Sequence, residues 1–220
     1  MNLRTETAMH IEKQNMNVLF NPKSVAVIGA SEKEDKLGFH VMKSLNSGGF
    51  PGRIIPINPG LKEIMGIKTF PSISEFLYEI DLAIVVLPAK MVPTILEECL
   101  AKGIKAIVLI TAGFKEIDDP VGEELHQKIA RLVNKQHIPI IGPNTFGMIN
   151  LHANLNASFT PEFSLLQKGS IGFISQSGGM CHLISFLALR NGVGFSKIVG
   201  IGNRLNVDFA QMVDYLMQDP

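Results

Sequence analysis

The chain has 220 residues, enough for one large core or two smaller ones, and 46% of them are hydrophobic, as in a globular α/β protein. Twenty Lys and Arg balance 20 Asp and Glu with no dense basic stretch, which argues against nucleic acid as a partner, because phosphate backbones demand a basic face. No apolar run approaches the roughly 20 residues that a membrane-spanning helix needs, so no membrane partner is expected.

Residues 1–17 are polar and mixed in charge, without the apolar centre of a secretory signal, and read as a flexible tail. Val18, Leu19 and Phe20 offer an apolar contact before Asn21-Pro22 turns the chain. Val25 to Ile28 is short and β-branched, as a buried parallel strand should be. It breaks at Gly29-Ala30-Ser31, a charged loop runs from Glu32 to Lys36, and a helix begins near Gly38 with Phe39, Met42 and Leu45 on one face. Strand, glycine turn and helix in that order build a phosphate site. The helix start presents unpaired N–H groups and partial positive charge, and small residues let the backbone approach an anion.

Gly48-Gly49 ends that helix, Arg53 to Ile57 is the second strand, and Asn58-Pro59-Gly60 closes it. Ile67 to Phe70 reads as a third, short strand, and Ser72 or Ser74 caps a short helix before Asp81. Leu82 to Leu87, Ala106 to Ile110 and Ile138 to Ile141 are further strands, separated by helices at Met91 to Ala101 and Val121 to Asn134. Strands alternating with helices at these spacings give a parallel sheet with helices on both faces and right-handed crossovers.

The stretch 151–168 is polar, carries Pro161 and has no clear period, so it reads as a linker after a first domain at 18–150. A second strand-turn-helix unit follows in 169–220: a strand at Ser170 to Ile174, the turn Ser175-Gln176-Ser177-Gly178-Gly179, and a helix from Met180 to Asn191. A strand near Lys197 to Ile201 and a helix from about Val207 to Met217 complete it. Two strands and two helices rarely make a stable open sheet alone, so this unit is expected to be incomplete and to lean on the first domain or on a second copy, as a homo-oligomer. Cys99 and Cys181 are isolated thiols without metal spacing, which points to a reducing, cytoplasmic setting and no metal site.

A nicotinamide dinucleotide does not suit the first turn. The fingerprint G-x-G-x-x-G needs glycines that are absent between Gly29 and Gly38, and the second strand ends in Asn58-Pro59 instead of an acid for the ribose. The longer loop, with Lys33 and Lys36, suits a bulkier and more anionic ligand.

The segments GASEKEDKLG, PINPG, DLAIVVLPA, ITAGFKE and IGPNTFGMIN resemble the CoA-binding part of the NDP-forming acyl-CoA synthetases, whose α subunits are similar to that of succinyl-CoA synthetase. The likeness covers nearly everything from Val18 to the end. It implies a Rossmann-like CoA-binding domain with a parallel sheet, followed by part of a flavodoxin-like α/β unit. It also implies that coenzyme A lies across the carboxyl ends of the strands, where open α/β sheets bind ligands. By that resemblance Gly29, Ala30 and Ser31, with Lys36 and Gly38, flank the CoA phosphates. Asn58, Pro59 and Lys62 sit at the adenosine end. Pro88, Ile110, Thr111 and Ala112 line the crevice, and Asn144 orders its rim. Relatives often carry a basic residue directly after the Asn-Pro pair. Here Gly60 stands there and Lys62 follows two residues later. A bulky residue at Gly38 is expected to abolish CoA binding while the fold survives.

Ser175, Gln176, Ser177, Gly178 and Gly179 place hydroxyls and backbone N–H groups around an anion at a helix start, while Ser177 can equally be a plain N-cap. In the resembling enzymes this turn cradles the phosphoryl group of a phosphohistidine. Their chemistry converts acyl-CoA, ADP and phosphate to carboxylic acid, CoA and ATP through an acyl phosphate. The resemblance further implies an ATP-grasp subunit or domain that binds the nucleotide. His10, His40, His126, His137, His152 and His182 do not match the family's catalytic histidine, which comes after the point where this sequence stops, so this chain alone is expected to lack turnover. Two other readings stay open: a CoA-sensing regulatory module of a protein acetyltransferase, and another nucleotide-sensing Rossmann domain.

Overall fold

The structure is a computed structural model that describes residues 13–133 and 138–219. Helix α1 (Lys13–Phe20) opens it. Residues 13–17 are therefore helical instead of belonging to a flexible tail; Met16, Leu19 and Phe20 recur at helical spacing and are buried in the core. The rest of the expected tail, with His10, and the expected helix end at Asn134, with His137, lie outside the described residues.

Five strands form the first sheet: β1 (Ser24–Ile28), β2 (Arg53–Ile57), β5 (Leu82–Val85), β6 (Ala106–Leu109) and β7 (Ile140–Ile141). Their order is β2-β1-β5-β6-β7 and every pairing is parallel. Alternate residues of each strand point to opposite faces, so β-branched runs serve two cores at once. Val25, Val27, Leu82 and Ile84 pack with α1 and with helix α2 (Leu37–Ser47). Ala26, Ile28, Ala83 and Val85 pack with helices α3 (Val92–Lys102) and α4 (Pro120–Val133).

Between β2 and β5, the expected third strand is reduced to β4 (Ile67–Lys68), which forms a hairpin with β3 (Glu63–Ile64) and is followed by a parallel bridge from Phe70 to Ile57 of the main sheet. The left-handed Met65 and Gly66 turn the chain back before the strand can extend.

The second sheet contains β8 (Gly147–Asn150), β9 (Leu155–Ser158), β10 (Lys168–Ser175) and β11 (Phe195–Gly200), in the order β10-β11-β8-β9. Strands β10 and β11 run parallel, whereas β8 pairs antiparallel with both β11 and β9. The expected linker thus carries strand β9 and a short 3-10 helix, Pro161–Leu165, and the expected two-stranded unit has four strands. No period marks β8 and β9 because all their residues are buried on both faces. Their polar residues find partners in place. The Asn156 amide donates to the Thr160 carbonyl at 3.0 Å, the Ser158 hydroxyl donates to Asn156 Oδ1 at 2.7 Å, and the Asn150 amide donates to the Phe20 carbonyl at 2.9 Å.

Helix α2 lies between the sheets. Its Val41, Met42 and Leu45 share one core with Met148, Leu155, Ala157 and Val199 of the second sheet. Helix α5 (Gly178–Asn191) covers the far face with Cys181 and Ala188 against Ile149 and Ile198. Helix α6 (Phe209–Met217) starts with a capping box from Asp208 and Gln211, and its Tyr215 stacks on Phe20 at 4.8 Å. Lys197 is buried, ion-paired with Asp219, and faces the Phe20 ring at 5.8 Å. Among the described residues no helix is long and apolar enough to cross a membrane.

Because the strand pairing and the core both cross the boundary expected at Asn150, a protein ending there would leave β8 unpaired and α2 uncovered. Residues 1–150 expressed alone should aggregate or show no cooperative thermal transition by circular dichroism. A cooperative melt at the full chain's Tm would refute this.

Candidate functional site

The first sheet changes direction between β1 and β5: the chain runs from β1 outward to β2 and then returns to the other side of β1. Loops leaving the carboxyl ends of such neighbours part and leave a crevice. Here the two loops touch at its base, where a Cβ on Gly29 would lie 3.0 Å from both the Leu87 side chain and the Val86 carbonyl. Gly29 also has φ +94°, which L side chains rarely adopt.

Gly38 is in the first turn of α2 and is buried. A Cβ there would sit 1.9 Å from the Gly29 carbonyl oxygen, so its glycine lets the helix start press onto the strand-end turn. A bulky residue at Gly38 would therefore disrupt the fold itself, contrary to the expectation that the fold survives. No side chain caps α2, whose Phe39 N–H donates to the Lys36 carbonyl at 3.1 Å. Lys36 precedes the helix, is exposed, and pairs loosely with Asp35 at 3.3 Å. Ser31 accepts the Lys33 N–H at 3.0 Å.

Asn58 joins two crevice loops. Its amide donates to the Ala30 carbonyl at 2.8 Å, and its Oδ1 accepts the Gly60 N–H at 2.8 Å. This is the strand-end position where a dinucleotide site needs an acid, and here it holds a turn in shape. Pro59 follows, and Lys62 is exposed just before the hairpin.

Pro88 is exposed after β5. The Ile110 side chain is buried in the core, and the Thr111 hydroxyl donates to the Leu87 carbonyl at 2.7 Å, so both are committed to the crevice floor. Ala112 is exposed. Asn144, left-handed at φ +57°, donates its N–H to the Thr111 carbonyl at 2.8 Å and its amide to Asn203 Oδ1 at 3.4 Å.

Two residues that sequence reasoning did not single out complete this rim. Glu116 accepts the Gly113 N–H at 2.5 Å and the Phe114 N–H at 3.1 Å on one oxygen, and the Asn203 amide at 2.5 Å on the other. Burial pushes the Glu116 carboxyl up, but these donors outweigh it and hold the group below the usual carboxylate range. Its contribution to stability is complete above the ordinary Glu value and is lost as pH falls through the lowered one. The only sequence signal was the place of Glu116 at the end of ITAGFKE; nothing local marks Asn203 as its partner 87 residues on.

The second turn follows β10. Ser177 is the N-cap of α5 and accepts the Met180 N–H at 3.3 Å, and Ser175 accepts the Ser177 N–H at 3.1 Å. Gln176, Ser177 and Gly179 are exposed. A Cβ on Gly178 or Gly179 would meet nothing nearer than 3.7 Å, and neither has a positive φ. Packing does not require these glycines, in contrast to Gly38. The turn adjoins the crevice through the loop after β11, where Ile201 donates to the Ser175 carbonyl at 2.9 Å and Asn203 donates to the Pro143 carbonyl at 2.8 Å.

His182 follows this turn but faces inward. It packs among Phe146, Phe159, Phe163 and Phe186, with Nδ1 bonded to the Gly178 carbonyl and Nε2 to the Thr160 hydroxyl, both at 2.8 Å. His126 is buried near Phe114. Burial pushes the thiols of Cys99 and Cys181 up to about 12, so neither is a nucleophile near neutral pH. Among the described residues no cluster of His, Cys, Asp and Glu could hold a metal. A groove of about 580 Å3 lies between β10 and α6, lined along β10 by Gly169, Ser170, Gly172 and Ile174 and on α6 by Val213, Leu216 and Met217.

Residues 23–150 match the CoA binding domain family, and residues 168–220 match the succinyl-CoA ligase like flavodoxin domain. The ADP-forming acetate–CoA ligase of Methanocaldococcus jannaschii is 44% identical over 198 residues, which are 90% of this chain and 27% of that protein. The alpha subunit of ADP-forming acetate–CoA ligase II of Pyrococcus furiosus is 40% identical, over 91% of this chain and 43% of that subunit. The chain therefore spans less than half the length of these relatives. The dinucleotide-forming acetyl-coenzyme A synthetase 1 of Ca. Korarchaeum cryptofilum, solved with phosphate and ADP, superimposes with a TM-score of 0.88 at 35% identity, over 93% of this chain and 43% of that one.

Gly38→Ala, the smallest possible change, should destabilise the protein by about 1–3 kcal/mol through the clash with Gly29. Chemical denaturation measures this, and an unchanged midpoint would show that α2 can move off the turn freely.

Proposed function

Since the chain belongs to the CoA binding domain family, we propose that it forms the CoA-binding portion of an ADP-forming acyl-CoA synthetase. The reaction is acyl-CoA, ADP and phosphate to carboxylic acid, CoA and ATP. The observation that carries this reading is the shared wall. The crevice over the first sheet and the turn before α5 both abut the loops 142–147 and 200–206. Phosphate attacks the thioester carbonyl carbon and expels the CoA thiolate, so the thiol end of CoA and the phosphate must meet at one acyl group, and a common wall brings their sites together.

In this reading Gly29, Ala30, Ser31, Lys36 and Gly38 receive the CoA pyrophosphate at the start of α2. Asn58, Pro59 and Lys62 hold the adenosine end, with Lys62 on the 3′-phosphate. Pro88, Ala112 and Asn144 border the pantetheine path, and Ile110 and Thr111 support it from below. The turn Ser175 to Gly179 takes the phosphate or phosphoryl group. Its exposed glycine N–H groups and the positive end of a 14-residue helix supply the attraction. The two glycines keep that approach open for an anion, since nothing in the packing requires them.

Phosphoryl transfer to ADP then needs a histidine with one free ring nitrogen. His182 has both nitrogens engaged, so it does not fill that role. We assign the phosphohistidine and the nucleotide-binding ATP-grasp module to a partner subunit or another domain, with the assembly working in the cytoplasm.

Calorimetry should show micromolar CoA binding at moderate salt, at least about tenfold tighter than NAD. Lys62→Ala should weaken CoA binding but leave dephospho-CoA unchanged. No CoA binding by folded protein would overturn the proposal, and equal losses for both ligands would remove Lys62 from the 3′-phosphate.

Inorganic phosphate should raise the Tm of the wild-type chain, as any ligand of the native state does. Gly178→Ala and Gly179→Val should keep a Tm no lower than wild type by more than a few degrees while losing that rise. A phosphate-induced shift that survives in both variants would detach the turn from anion binding.

A further inference from the structure

Glu116 is the one charged side chain in the hydrogen-bonded ring around the crevice rim. The ring runs from the loop after β6 to that after β11 through Glu116 and Asn203. It continues to the loop after β7 through the Asn203 N–H on Pro143 and the Asn144 amide on Asn203. It closes where the Asn144 N–H meets the Thr111 carbonyl. Thr111 extends it to Leu87, next to Pro88. Between Thr111 and Glu116 the segment buries Phe114 alone, while Ala112 and Lys115 are exposed and Gly113 has φ +105°.

We infer that Glu116 is a positioning residue for CoA: its carboxylate locks the loop after β6 to the loop after β11 and so sets the shape of the crevice rim. This rests on the proposed CoA-binding function and adds a residue that does not itself contact the ligand. The chemistry of the lock is specific. Three donors converge on one side chain, two on Oε1 and one on Oε2, and a carboxylate is the group that accepts on both oxygens.

That specificity gives a swap test. In Glu116→Gln the new NH2 must face a donor on one side or the other, so one side of the lock breaks. In Asn203→Asp two carboxylates face each other. In the double variant Glu116→Gln/Asn203→Asp the polarity is restored. The amide introduced at position 116 donates to the carboxylate introduced at position 203 and keeps its own oxygen for Gly113 and Phe114. The second oxygen of that carboxylate still accepts from Asn144.

The experiment is calorimetric titration of CoA into wild type, both single variants and the double variant, each checked for folding by circular dichroism. Each single variant should bind CoA about tenfold more weakly or worse, and the double variant should return to the wild-type value. Rescue by reversed polarity is a result that mere loss of packing does not produce. Wild-type affinity in a folded single variant, or a double variant as weak as the worse single one, overturns the inference while leaving CoA binding intact. If a single variant does not fold, the double variant decides: wild-type affinity supports the lock and lost affinity refutes it. A wild type that does not bind CoA defeats the functional proposal and this inference together, which separates the two failures.

Discussion

Asn203 gives its backbone N–H to Pro143 and Leu205 gives its own to Gly142, so two loops 60 residues apart pair almost as strands do. The Thr145 hydroxyl adds a bond to the Gly200 carbonyl, and the Asn206 side chain clamps both Ile138 and Ile140 along the outer side of β7. The contact is so close that a Cβ on Gly202 would lie 2.3 Å from the Pro143 oxygen, and one on Gly200 would lie 2.5 Å from the Phe146 ring. This seam fixes the second sheet against the first. The crevice rim, the helix α5 turn and the edge of the first sheet all take their positions from it. The end of the molecule that carries the proposed site is therefore also where the halves are tied.

The parallel sheet was legible because its strands are buried on both faces. Val25 to Ile28 and Leu82 to Val85 read as unbroken apolar runs bounded by turn residues. Hairpin β8–β9 was not legible for the same physical reason turned around. Asn150, Asn156 and Ser158 look like loop residues, yet each is buried with its hydrogen bonds met inside the fold, and only the tertiary structure supplies those partners. At the site, Gly29, Gly38 and Asn58 stood out because turns and close approaches need those residue types. Glu116 and Asn203 did not, because their role comes from a pairing across the seam that no local pattern encodes.

The two strand-turn-helix units look alike in sequence and differ in what their glycines do. Gly38 carries a structural obligation, since any side chain there collides with the Gly29 backbone. Gly178 and Gly179 carry none, and glycine at a helix start sacrifices propensity that alanine would add. A residue kept at a cost that packing does not repay points to a requirement outside the fold. Here that requirement is room at a helix start for something to approach. The first unit combines both needs, with a fixed helix position and an uncapped N-terminus, while the second is capped by Ser177 and left open only at its glycines.

Under the proposed function a chain of zero formal charge binds CoA, which carries several negative charges, without a basic surface. In the proposed site the attraction comes from oriented N–H groups at the starts of α2 and α5, with Lys36 and Lys62 nearby, so the positive potential is local and the rest of the surface stays neutral. A carboxylate at the rim would oppose such a ligand if its charge were free. Glu116 is tolerable there because three donors are already turned onto it, which spreads its charge into the backbone of Gly113 and Phe114 and the amide of Asn203. The same bonds that hold the rim in shape also reduce the field that Glu116 would otherwise set against the ligand. That makes an acidic residue compatible with a site built for anions, where a neutral side chain accepting on only one atom could hold only part of the rim.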